Sequence, residues 1–204
     1  MDKAFNWLTP DDTALIVIDK QGSYMGNNDI ISWAFKNANN NFDRLVSDID
    51  NFIERAHRKN IPIVWTRMVE SPDPEVSPAN ISKKLINDQT KSISDSSMAG
   101  FDFVGDKPQA GDKVITKRFY DAFAQTGLDD YLQTLNVNNV VLVGGFTSRC
   151  VLGTAYGANG HGYNVVIASN LVGNAANFQD ENEPALKIIN SILGYTVDSS
   201  QIPW

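Results

Sequence analysis

The sequence predicts an α/β fold: three layers, helix–sheet–helix, around a mainly parallel and Rossmann-like sheet of roughly six strands. Three observations lead there. Short, almost wholly apolar runs rich in β-branched residues recur along the chain, as strands buried on both faces require. Segments with apolar residues at intervals of three and four lie between them. The two patterns alternate, which calls for right-handed crossovers and helices on both faces of the sheet.

In chain order, residues 13–18 (TALIVI) read as the first buried strand. Phe42, Leu45, Val46, Ile49, Phe52, Ile53 and Ala56 then form one apolar stripe on a long helix, which Asn60 is placed to stop. Residues 61–66 (IPIVWT) and 113–116 (KVIT) are the next strands. Leu128, Tyr131, Leu132 and Leu135 repeat the helical spacing, with Thr126 as the cap and Asp129 and Asp130 suited to the positive end. Residues 139–143 (NVVLV) and 164–168 (NVVIA) are strands, and the run VLGTAYGAN after Cys150 starts a helix that ends near Gly160 and Gly162. Ala185, Leu186, Ile189, Ile192 and Leu193 mark a last amphipathic helix, with residues 194–197 as a weak final strand.

The stretch from Glu70 to Gly111 is the least regular, carrying Pro72, Pro74, Pro78 and Pro108. A connection of this length is usually functional or a partner-binding excursion. No internal repeat and no second domain are visible, so residues 1–204 read as one domain. A chain of this size buries roughly 70% of the surface its unfolded form exposes.

The formal charge of −7, with no basic stripe, disfavours binding to nucleic acid. No apolar run approaches the ~20 residues needed to span a bilayer, so no membrane partner is expected. The N-terminus lacks the basic, apolar and small-residue regions of an export signal. Cys150 is the only cysteine, which leaves no intrachain disulfide and no cysteine-cluster metal site. These features point to the cytoplasm.

Open α/β sheets bind ligands beyond the carboxyl ends of their strands. Asp19 ends the first strand, Lys117 ends the third, and Cys150 follows the fourth in GGFTSRCVLGTAYGA. Parallel strands put all three on one rim. Each has a plainer role as well: a turn residue for the Asp, a solvated charge for the Lys, a small buried hydrophobe for the Cys. Geometry alone leaves the choice open.

Three segments resemble the isochorismatase-like cysteine hydrolases, a family that includes nicotinamidases, carbamoylsarcosine amidases and ureidoacrylate or biuret amidohydrolases. ALIVIDKQ is similar to that family's apolar strand followed by Asp-x-Gln. VITKRFYDAFAQTGLDDYL is similar to its strand-ending Lys followed by Ala-Phe and Thr-x-Leu, and GGFTSRCVLGTAY to its Gly-x-x-Thr-x-x-Cys-Val. The resemblance implies Cys150 as nucleophile, Asp19 as general base and later proton donor, and Lys117 as the cation beside both. It also implies an oxyanion hole from the backbone amides of Phe146 and Cys150, and a cis peptide at Gly145–Phe146. A helix N-terminus and a nearby ammonium would favour the thiolate of Cys150.

The family's nicotinamidases hold zinc through an Asp and two His near the end of the second strand. IPIVWTRMVESPDPEV contains no histidine, and His57 and His161 sit in no ligand cluster, so no metal and no cofactor are expected. Cys150 favours hydrolysis of a C–N bond in a small amide or ureido compound through a thioester. The alternatives are an isochorismatase-type ether or ester hydrolase and a catalytically silent binding protein of the same fold. Tyr120–Phe123 resembles the ureidoacrylate and biuret branch, whereas Leu152 and the pair Ser169-Asn170 depart from it. Tyr24, Trp33, Phe119 and Phe123 are candidates for an aromatic pocket or for core packing. Arg149 either pairs with a substrate carboxylate or faces solvent. The resemblance further implies a homo-oligomer, dimer or tetramer.

Overall fold

A computed structural model describes residues 5–25, 42–69, 75 and 101–204. Six strands, β1 (Thr13–Ile18), β2 (Ile63–Met68), β3 (Lys113–Lys117), β4 (Asn139–Gly145), β5 (Asn164–Gly173) and β6 (Gly194–Val197), form one sheet in the order β3-β2-β1-β4-β5-β6. Every neighbouring pair is parallel. The chain winds outward from β1 through β2 to β3, then returns to the other side of β1 with β4. The carboxyl ends of β1 and β4 therefore flank the point where the winding reverses, the crevice in which such sheets bind ligands.

Side-chain alternation divides the core into two layers. Ala14, Ile16 and Ile18 of β1 face one way, packed with Leu128 and Leu132 of α3 (Leu128–Thr134), Ala155 and Ala158 of α4 (Leu152–Gly160), and Leu186 of α5 (Asn182–Ile188). Leu15 and Val17 face the other way, against Ile49, Phe52, Ile53 and Ala56 of α2 (Phe42–Arg58) and the C-terminal Ile202 and Trp204. α1 (Gly22–Met25) is a single turn after β1. The fold is the three-layer α/β/α arrangement that the alternation of patterns predicts.

Several boundaries differ from the sequence-based expectation. β2 begins at Ile63, because Pro62 has no N–H and contributes only its carbonyl, which accepts from the Leu15 N–H at 2.9 Å. It runs on to Met68 because Arg67 and Met68 pair with Thr116 and Lys117 of β3. β5 extends to Gly173: after an irregularity around Ser169 and the exposed Asn170, Val172 and Gly173 rejoin Gly144 and Gly145 of β4. The cap of α3 is Gly127, although the Thr126 hydroxyl still accepts the Leu128 N–H at 3.2 Å. Asn60 stands after α2 in the left-handed region, at φ 56°. Ile192 is 64% exposed, because α5 passes into a π turn (Ile189–Leu193) whose wider winding turns it out of the apolar stripe.

Candidate active site

Asp19 stands one residue beyond β1 with φ 45°, a conformation that a short polar side chain tolerates. Thr66 of β2 holds it twice. The Asp19 N–H donates to Thr66 Oγ1 at 3.2 Å, and the Thr66 hydroxyl donates to Asp19 Oδ1 at 2.7 Å. The other carboxylate oxygen, Oδ2, faces Lys117 Nζ at 2.7 Å. Lys117 comes from β3, two strands and about 10 Å away by ordinary strand spacing, so its long stem must cross β2 to arrive. On the way its ammonium donates to Phe119 O at 3.1 Å and lies 3.4 Å from Met68 Sδ.

Cys150 belongs to a π-type turn (Thr147–Val151) that leads into α4. The turn is closed by the Arg149 and Val151 N–H groups, which donate to Phe146 O at 3.0 and 3.2 Å. The thiol lies within interaction range of both Asp19 and Lys117. Asp19, Lys117 and Cys150 are 0%, 1% and 5% exposed. Charges this deeply buried persist only when paired, and here they pair with one another.

Burial pushes the Cys150 thiol well above its ordinary range, the Asp19 charge adds to that, and Lys117 only partly opposes it. That direction favours the thiol over the thiolate that the helix N-terminus and the ammonium suggest from sequence. Desolvation penalises the charged form, and it outweighs the ammonium. Burial alone would lower the Lys117 pKa, but Asp19 and Cys150 together raise it, so the ammonium stays charged.

Gly144 brings β4 this close to β1. Its φ is +111°, and a Cβ there would lie 2.1 Å from Ile18 O. A Cβ on Gly145 would lie 2.7 Å from Met25 Cε. The Gly145–Phe146 peptide is cis. Phe146 packs against Tyr24, whose ring meets it edge-on at 5.6 Å, so Tyr24 lies beside the Cys150 turn.

The remaining predicted positions fall elsewhere. Phe123 stacks on His161 at 5.0 Å and leans on Tyr163 at 5.7 Å, against the far end of α4 from Cys150. Its ring packs in the same buried cluster as Cys150. Arg149 neither faces open solvent nor waits unpaired: its guanidinium forks onto Glu181, donates to Ser148 Oγ at 2.9 Å and covers the Phe178 ring at 4.6 Å. Phe119 is half-buried and touches the site through its carbonyl. Trp33 lies outside the described residues, as does most of the stretch from Glu70 to Gly111.

His57 pairs with Asp112 at 2.9 Å, and Asp112 also accepts from Trp65 Nε1. His161 pairs with Asp129 at 3.2 Å. No group of three or more metal-ligating side chains occurs among the described residues.

Three contributors escape sequence reasoning. Thr66 reads only as the end of an apolar run, and Glu181 as one acid in a polar stretch. Gln21 reads as part of a motif, yet it is fully buried and bonded to the main chain of β2. For Thr66 and Gln21 the available signal was a polar residue placed where a strand end demands burial.

Comparison with known proteins adds to this geometry. Residues 13–201 match the family model described as Isochorismatase domain. A maleamate amidohydrolase of Pseudomonas putida is 36% identical over 90 residues, covering 44% of this chain and 41% of that protein. The match thus spans less than half of that relative's length. The secreted isochorismatase effector Isc1 of Verticillium dahliae is 29% identical, over 79% of this chain and 73% of the effector. The ureidoacrylate amidohydrolase RutB of Acinetobacter baylyi is 27% identical over 72% and 64%. A crystal structure of a cysteine hydrolase from Pseudomonas syringae superposes with a TM-score of 0.78 at 20% identity, covering 95% of this chain and 92% of that one.

Proposed function

The chain belongs to the isochorismatase family, and from that premise we propose that it is a metal-independent cysteine hydrolase of small amides or ureido compounds. Cys150 is the nucleophile, Asp19 the proton carrier and Lys117 the cation that pairs with Asp19 and orients it. The observation that carries this is the buried ion pair between Lys117 Nζ and Asp19 Oδ2, 2.7 Å long, with the thiol in range of both groups. The relatives named maleamate and ureidoacrylate amidohydrolase support an amide as the bond cleaved.

The chemistry follows from the protonation state. Asp19 takes the thiol proton as sulfur attacks the carbonyl carbon, and the carbonyl oxygen becomes an oxyanion. The backbone N–H groups of Phe146 and Cys150 are its donors; removal of one such donor typically costs ~3–4 kcal/mol of transition-state stabilisation. As the C–N bond breaks, Asp19 returns the proton to the departing nitrogen, which leaves as ammonia or an amine. Water then adds to the thioester, giving its proton to Asp19. Collapse releases the acid, and the sulfur regains its proton.

A panel of small amides and ureides, assayed for released ammonia or amine with wild type and Cys150→Ala, tests this. Turnover by wild type alone is expected; equal turnover by Cys150→Ala would overturn the covalent route.

The match to a protein named an isochorismatase effector favours a second reading, hydrolysis of an ether or ester without a thiol nucleophile. Turnover of such a substrate after complete alkylation of Cys150 would select it. The same proposal includes assembly into dimers or tetramers and residence in the cytoplasm. Sedimentation and cell fractionation test these. No helix among the described residues is long and apolar enough to cross a membrane.

A further inference from the structure

We infer that Gln21 is a positioning residue that sets the separation of Asp19 and Lys117 by standing in for a missing stretch of strand β1. The inference rests on Asp19, Lys117 and Cys150 forming the catalytic centre. The ladder between β1 and β2 pairs Leu15 with Ile63, Ile16 with Val64 and Val17 with Trp65, and then stops. Beyond it the first chain turns away at Asp19, while β2 continues to Met68. The Met68 main chain consequently loses the partner that β1 would have provided.

The side-chain amide of Gln21 fills that place. Its Oε1 accepts the Met68 N–H at 2.7 Å, and its Nε2 donates to Met68 O at 3.2 Å. A primary amide offers the donor and the acceptor that a strand residue would present. Nε2 also donates to Phe101 O at 3.0 Å, so the amide is bonded on both sides. Gln21 is fully buried, as is Met68.

Each end of this brace touches one half of the ion pair. The Gln21 N–H donates to Asp19 O at 2.7 Å, which ties the brace to the carboxylate's own residue. Met68 is in register with Lys117, the next N–H, that of Val69, donates to Lys117 O at 2.9 Å, and Met68 Sδ lies 3.4 Å from Lys117 Nζ. Two short chains of contact thus run from one side chain to the carboxylate and to the ammonium. In this scheme Gln21 acts through the two residues it braces.

The test uses the chain's single cysteine, whose alkylation by iodoacetamide reports the thiolate without any substrate. Lys117 favours the thiolate, so loosening it should make Cys150 harder to ionise. Gln21→Met, which keeps length and volume but removes the amide's hydrogen bonds, should label at least tenfold more slowly than wild type near pH 8. The gap should close at higher pH, because a midpoint raised by one unit is a tenfold loss of thiolate below it. Ile202→Ala, a core variant on the opposite face of the sheet, should lower the melting temperature while leaving the labelling profile in place. Gln21→Glu, which keeps the acceptor for Met68 N–H, should fall between Gln21→Met and wild type. A Gln21→Met profile that superimposes on wild type would overturn the inference and leave the catalytic assignment standing. A wild-type thiol that takes no label at any pH would overturn the nucleophile assignment, and this inference with it.

Discussion

Lys117 Nζ lies 2.7 Å from Asp19 Oδ2, although Lys117 ends β3 and Asp19 follows β1, with β2 between them. Both side chains are buried, so each depends on the other for compensation. Removing one partner of such a pair strands a buried charge, at about 3–5 kcal/mol. Lys117→Met should therefore lose stability of that order in urea unfolding. Asp19→Asn combined with Lys117→Met should recover most of it. A double variant as unstable as Lys117→Met alone would contradict the pairing.

Stability should also fall with alkaline pH in a way that depends on Cys150. Burial raises the thiol pKa in the folded state above that of the unfolded chain, where a free thiol titrates near about 8.5. The folded state then binds the proton more tightly, so this stabilisation is complete below about pH 8.5 and is lost as pH rises through the folded value. Cys150→Ser should decline less between about pH 8.5 and 10 than wild type does. Identical slopes in thermal unfolding would reject the raised thiol pKa.

Much of this was legible in the residues, and the exceptions have physical reasons. TALIVI reads as a buried strand because its apolar run is short and unbroken, and β1 spans those very residues. The extension of β5 was hidden because Ser169 and Asn170 look like a strand's end; only pairing with Gly144 and Gly145 shows that the strand resumes. Asp19, Lys117 and Cys150 stand out as candidates by their places at strand ends, but strand position alone left their roles open. Arg149 and Glu181 lie 32 residues apart with a helix and a strand between them, and nothing in either residue's local sequence pairs them. Gln21 was visible as the last residue of ALIVIDKQ, but its bonds were not, since it bonds to main chain and its partners carry no sequence signature.

Two glycines in left-handed backbone should respond differently to a methyl group. Gly144→Ala must place a Cβ 2.1 Å from Ile18 O at φ +111°, where both strain and overlap act. A loss of about 3 kcal/mol or more is expected, with much of the protein failing to fold. Gly162 has φ +89° and open space around it, so Gly162→Ala should lose only about 1–2 kcal/mol. Equal losses in chemical denaturation would refute the close approach of β4 to β1.

Asp121 offers a stabilising change. Burial raises its carboxyl pKa, while its bond from the Phe123 N–H and the charges of His161 and Lys117 only partly offset this. The protonated form is the better tolerated one, so the ionised side chain is a cost that grows as pH rises above the acid range. Asp121→Asn keeps an oxygen for the Phe123 N–H, which approaches Oδ1 at 2.8 Å. It should raise the melting temperature by about 1–3 °C at pH 7, with the gain vanishing near pH 4. A lower melting temperature at pH 7 would show that the charge is needed.

The nucleophile itself is tested most directly by acid-quenching the protein during turnover of a small amide and weighing it intact. An added acyl mass, mapped by peptide analysis to Cys150 and absent from Cys150→Ala, is the predicted result. Continued product release with no mass ever added to that sulfur would contradict the thioester.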